Sequence, residues 1–251
     1  MAEEACLWII RVWARIARIA RPLLRSDAFA RLNRWFTISL TLFASFLGRS
    51  VSAQSIFFQD DFAGNLGPGW TWRREHREAW RITPRGLEIQ IEPGNMWGPA
   101  NDAKNILLHP LPGKRDLELE ISVRFEHRPT EQYEQTDLVW YYDDSHMVKI
   151  GEELVDGKLS VVMGREEKDR TRTLAIVPLK TEAVELRLIS RLDRIRGEYR
   201  PAGETAWKKA GECDLPMPAS KVVPQISIQT YQGPAHAVHW ATISDFLITE
   251  K

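Results

Sequence analysis

The chain has 251 residues, 43% hydrophobic and 27% charged, the composition of an ordinary soluble globular protein. Its 34 basic and 34 acidic residues balance, but residues 1–53 hold eight arginines against three acids, which leaves −5 on residues 54–251. That acidic remainder argues against phosphate-backbone binding, so nucleic acid is not an expected partner.

Residues 1–53 read as an N-terminal extension and a signal peptide. Arg31 and Arg34 precede an apolar run from Trp35 to Leu47, and Val51-Ser52-Ala53 supplies a small-residue cleavage signal. The run is too short for a spanning helix. Cleavage near Ala53 would release a secreted or periplasmic chain beginning at Gln54. The stretch before it, LWIIRVWARIARIARPLLR, is basic and amphipathic. It fits a membrane-surface helix, the one route to a membrane partner and only while uncleaved, or untranslated sequence ahead of a start near Leu32. Cys6 falls in this part and leaves Cys213 alone, so the core must stand without a disulfide. No C-x-x-C pair or H-E-x-x-H supports a metal centre.

From Ser55 onward the apolar period is two. Residues 86–91, 116–126, 183–190, 222–230 and 238–249 alternate as half-buried antiparallel strands. Val155-Asp156-Gly157-Lys158 is a hairpin signal between two apolar runs. Short strands separated by turns predict an all-β, two-sheet antiparallel jelly-roll sandwich over residues 54–251. Asp60-Asp61 fits a turn at a strand start. The pair could also suggest a structural calcium ligand set, but no run of alternating oxygen ligands follows it, and no other cofactor is implied.

Four segments then carry a resemblance: FFQDDFAGNLGPGWTW, NMWGPANDAKNILL, YEQTDLVWYYDDSHMVKIGEE and WATISDFLI, spread over residues 57–248. In this order they resemble the concanavalin A-like domain at the C-terminus of some β-xylosidases and in free-standing secreted bacterial proteins. The resemblance implies a jelly roll and a carbohydrate context. It points to Trp97, Tyr133, Gln135, Lys149 and Glu153. Where the family usually has Ala-Gly-Leu, this chain has Thr136-Asp137-Leu138, an aspartate where a close backbone or ligand approach is expected.

Sugars are recognised by aromatic faces and by planar amides or carboxylates. The loop from Asn95 to Asn105 offers both, in Trp97 with Asn95, Asn101 and Asp102. Two roles fit: a stacking platform, or a plug whose asparagines make Asx-turns. On one strand Lys149, Gly151 and Glu153 share a face. Lys149 and Glu153 would stand about 13 Å apart, too far for an ion pair, so each should seek a partner such as Asp137 or Glu134. Leu138 and Trp140 should point inward and Tyr133 outward, with Trp70, Trp72, Trp80 and Trp240 in the core.

The spacing E-x-D-x-x-E of jelly-roll glucanases is absent, and Glu134 with Glu153 is the remaining conceivable acid–base pair. The first expectation is therefore a lectin-like module holding oligo- or polysaccharide on its concave sheet. A glycosidase working through Glu134 and Glu153 is the second, and an envelope protein-interaction domain the third.

Overall fold

The computed structural model describes residues 55–113, 118–219 and 221–250. The expected signal peptide, its cleavage site, Cys6 and the start of the 116–126 strand lie outside the described residues. Within them there are fifteen strands and a single 3-10 turn at Arg77–Ala79. No helix among them is long and apolar enough to cross a membrane.

The front sheet has seven strands. They are β2 (Thr71–Arg73), β5 (Ile106–Pro110), β7 (Gln135–Asp143), β8 (His146–Val155), β9 (Lys158–Glu167), β10 (Arg170–Pro178) and β14 (Gln225–Tyr231). The back sheet has eight: β1 (Ser55–Asp60), β3 (Trp80–Thr83), β4 (Gly86–Gln90), β6 (Leu119–Glu126), β11 (Ala183–Arg191), β12 (Arg194–Pro201), β13 (Lys208–Asp214) and β15 (Trp240–Glu250). The front order is β10-β9-β8-β7-β14-β5-β2. The back order is β13-β12-β11-β6-β15-β4-β3, with β1 also on β15. Every pairing is antiparallel, as a two-sheet jelly roll requires.

Alternation explains the packing. In β6, Leu119, Ile121, Val123 and Phe125 are buried while Glu120, Ser122 and Arg124 are not. They meet Leu138 and Trp140 of β7, Val148 and Ile150 of β8, and Met163 of β9 in one core between the sheets. Each such side chain contributes about 1.5–3 kcal/mol on burial. The hairpin at Asp156-Gly157 forms as read, with Val155 opposite Lys158 and φ of 51° and 71° at the two central residues. Those angles are the paired left-handed conformations whose twist matches the flanking strands.

The tryptophans differ in part from expectation. Trp70, Trp72 and Trp80 pack on the margin of the core and are only half-buried. The reason is topology: β2 and β3 are the edge strands of the two sheets, so Trp72 and Trp80 meet across the open side with centroids 4.9 Å apart. Trp240 is also half-buried and carries the Arg81 guanidinium 4.2 Å above its ring. Asp60 is a turn organiser, accepting from the backbone N–H groups of Phe62 and Gly67 and from Trp70 Nε1, at 2.7, 2.7 and 2.8 Å.

Candidate functional site

The site lies on the outer face of the front sheet, away from the main core. One half of that face is apolar. Residues 91–105 fold across it, burying Met96 and Ala103 on Ile106, Leu108, Val139, Tyr141, Met147 and Tyr231. The loop is stitched to its surroundings. Gln232 and Gly233 donate backbone N–H to the carbonyls of Gly94 and Glu92, each at 3.0 Å, and Arg74 Nε donates to the Ala103 carbonyl at 2.6 Å.

The other half is polar, centred on Lys149. Its ammonium is buried and uses all three of its protons. It donates to Gln135 Oε1, to Glu153 Oε2 at 3.1 Å and to the Tyr231 hydroxyl at 3.4 Å. Trp97 joins the two halves. Its half-buried indole has Lys149 Nζ 5.0 Å from the ring centroid, close enough for a cation–π attraction. The indole fits because Gly164, opposite Lys149 on the neighbouring strand, has no side chain; a Cβ there would sit 2.5 Å from Trp97 Cη2.

The ion pair between Lys149 and Glu153 corrects the sequence expectation. Their backbones are far apart along β8, but both are long side chains lying over Gly151, and they lean toward each other. Asp137 fills the remaining space. It is opposite Gly151, where a Cβ would come within 1.7 Å of Asp137 Oδ1. The bulk that Asp137 adds is thus accommodated by a glycine on the neighbouring strand.

Asp137 is fully buried, and no donor among the described residues closes a full hydrogen bond on its oxygens; the Tyr231 hydroxyl approaches it more loosely. Lys149 Nζ is 3.7 Å away. Burial raises its pKa to about 6; the Lys149 charge opposes the rise and the Glu153 charge adds to it. Glu166 on β9 is likewise buried. Its Oε2 accepts the Gly98 backbone N–H at 3.0 Å while Oε1 is unpartnered. Burial pushes it to about 7, against the pull of that N–H. Gln229 adds a third buried acceptor without a donor, its Oε1.

The other expected residues take different positions. Asn95 is engaged within its loop: its amide bonds both the N–H and the carbonyl of Trp97, each at 3.0 Å. Asp102 Oδ1 accepts the Asn95 backbone N–H at 2.8 Å. Asn101 Oδ1 is buried without a partner. The bonds of Asn95 and Asp102 hold the loop in the shape that presents Trp97. Tyr133 is exposed, as expected, with a left-handed φ of 68°. Its carbonyl accepts from Gln135 Nε2 at 2.8 Å, which ties the exposed ring to the buried cluster.

Glu134 does not share the Lys149 face. It precedes β7 out of phase with Gln135 and Asp137, and its carboxylate is fully committed. His239 Nδ1 lies 2.7 Å and His127 Nε2 3.2 Å from Oε1, while Oε2 accepts the backbone N–H groups of Thr130 and Glu131 at 2.8 and 3.1 Å. Burial raises its pKa, but these donors outweigh burial and hold it near about 2. An acid or base for glycoside cleavage needs a freer carboxyl, so Glu134 and Glu153 do not form the expected pair.

Sequence reasoning passed over Tyr231, Glu166, Gly164 and Gln229. One signal was available. In QISIQTY every second residue from Ser227, namely Ser227, Gln229 and Tyr231, places hydroxyls and an amide on the face opposite the isoleucines of a central strand.

The profile of the β-xylosidase C-terminal concanavalin A-like domain matches residues 59–233. No curated protein matches the chain. Among solved structures, a mutant form of the GH43 protein BlXynB from Bacillus licheniformis is similar at 17% identity and TM-score 0.68, over 77% of this chain and 39% of that one. A xylan β-1,4-xylosidase from Bacillus halodurans is similar at 17% identity and TM-score 0.65, over 76% and 38%. A functionally unknown protein from Saccharomyces cerevisiae matches at 14% identity and TM-score 0.56, over 73% and 97%. The chain therefore spans about two fifths of the two glycosidase-family proteins and nearly all of the yeast one. These likenesses share a fold, and the family match covers most of the strands that build the site. The chain belongs to the family of β-xylosidase C-terminal concanavalin A-like domains.

Proposed function

We propose that this domain is a secreted carbohydrate-binding module that holds an oligo- or polysaccharide on the outer face of the front sheet. The observation that carries the reading is the group of buried acceptors around Lys149. Among the described residues, no donor closes a full hydrogen bond on either oxygen of Asp137, on Oε1 of Glu166 or on Oε1 of Gln229. Unpaired buried acceptors cost about 1–3 kcal/mol each, and sugar hydroxyls are donors that would relieve that cost. Trp97 supplies an aromatic face at one end of the cluster and Tyr133 at the other. Gln135, Lys149 and Glu153 orient the ligand from the polar side.

Hydrolysis has weaker support, because Glu134 is committed to its own donors. The test is calorimetric titration of the full chain with xylo-, arabino- and gluco-oligosaccharides. Trp97→Ala should weaken binding by about 1 kcal/mol or more. A large loss of stability without any loss of binding would assign Trp97 to a plug. Turnover of a chromogenic xyloside that Glu153→Gln abolishes would favour an enzyme.

A further inference from the structure

A cavity of about 380 Å³ opens where the edge strand β10 of the front sheet faces β13 of the back sheet. Arg165, Arg170 and Arg172 line it, with Thr171, Glu167 and Asp214. Strand alternation puts Arg170 and Arg172 on one face, and Arg172 is the cross-strand partner of Arg165. Like charges in register repel, so this arrangement costs stability unless an anion lies between them. Among the described residues one is supplied for Arg165 alone, whose Nη2 bonds Glu167 Oε2 at 3.0 Å while its Nε donates to the Asp214 carbonyl at 2.9 Å. The other oxygen of Glu167 accepts the Met217 backbone N–H at 3.0 Å, and Asp214 Oδ1 pairs with Arg194 at 3.1 Å. Glu167 is thus engaged by Arg165 and Met217 and Asp214 by Arg194, and among the described residues the exposed Arg170 and Arg172 face the cavity without an ion-pair partner.

The cavity adjoins the proposed sugar face. Thr171, between the two arginines, borders the cavity and also approaches the Trp97 loop. There a Cβ on Gly98 would lie 3.9 Å from its Cγ2, next to Trp97. A polysaccharide resting on Trp97 and running over this edge strand brings a branch group to the guanidiniums. We infer that Arg165, Arg170 and Arg172 form a subsite for the carboxylate of a uronic acid borne on that polysaccharide. A guanidinium fork matches a planar carboxylate, and a single carboxylate suits a cavity set in a domain of net acidic charge better than a polyphosphate does. This inference rests on the carbohydrate-binding reading.

The experiment compares the full chain binding a glucuronic acid-bearing xylan with the same xylan after its carboxyls are reduced to alcohols. Wild type should prefer the acidic polymer about 5–10-fold, with the preference shrinking as salt rises. Arg170→Ser/Arg172→Ser should abolish the preference and leave the reduced polymer bound as before. Trp97→Ala should weaken both polymers and keep the preference. An unchanged preference in the arginine variant overturns the subsite while the module reading stands. Binding of neither polymer by the wild type overturns both. Short duplex DNA binding as tightly as the acidic xylan, and competing with it, shows a general anion patch and also overturns the subsite.

Discussion

Glu134 and Asp137 are three positions apart, and both are fully buried. Their chemistry is opposite. Glu134 has four close donors on its two oxygens and sits near about 2, whereas Asp137 has only the looser approach of the Tyr231 hydroxyl and of Lys149 Nζ at 3.7 Å and sits near about 6. Burial pushes both carboxyls upward, so the donor count separates them. Glu134 is a finished structural device that ties the turn before β7 to His127 and to His239 ahead of β15. Asp137 belongs to an unfinished constellation, with acceptor capacity left for something outside the chain.

The largest effect should follow from breaking the finished device. Glu134→Gln keeps the shape but turns one amide nitrogen toward groups that already donate. The loss should be about 3 kcal/mol in urea unfolding at pH 7, in the range for opening a buried charged network. The stability from Glu134 is fully present above its unfolded pKa and is lost as pH falls from 4.5 toward about 2. The variant should therefore lose its disadvantage in acid while binding sugar normally. Unfolding curves that superpose at pH 7 would show that the four contacts do not act as a clamp.

On the Asp137 side the expected effect is smaller and arises from packing. Gly151→Ala puts a methyl group 1.7 Å from Asp137 Oδ1 and 2.8 Å from the Thr136 carbonyl oxygen. Overpacking of this kind costs about 2 kcal/mol. In an Asp137→Gly background the same substitution should cost less than half as much, the residue being the Thr136 clash. Equal costs in the two backgrounds, read by thermal unfolding, would mean that the glycine and the aspartate are not coupled.

These two regions also show what the sequence made legible. Period-two alternation was enough for the strands, the hairpin at Asp156-Gly157 and the inward Leu138 and Trp140, because burial acts on each strand independently. The pairing of Lys149 with Glu153 was hidden, because backbone spacing along a strand ignores how far two long side chains reach over a glycine. The role of Gly164 could not be read either: it depends on Trp97, distant in sequence, arriving over β9. The Glu134 clamp needed His239 to come beside β7, a contact between sheets that no local pattern encodes.

The smallest effect separates Asp137 from Glu134 by the sign of its pH dependence. Because the folded pKa of Asp137 is raised, its carboxyl favours the fold most below its unfolded value, and that contribution is lost as pH rises from 3.8 toward about 6. Glu166, raised from 4.5 to about 7, behaves alike. Asp137→Asn removes one of these titrations, so the variant should gain on wild type between pH 4 and pH 7. The Lys149 charge 3.7 Å away already opposes the rise, so the gain reflects the net shift and should be about 1 kcal/mol or more over this range. Melting temperatures across that range measure it. A gap between variant and wild type that is constant with pH would show that Asp137 is already ionised in the folded protein. Lys149 would then be neutralising it outright, and the cluster would have less unused capacity to offer a sugar.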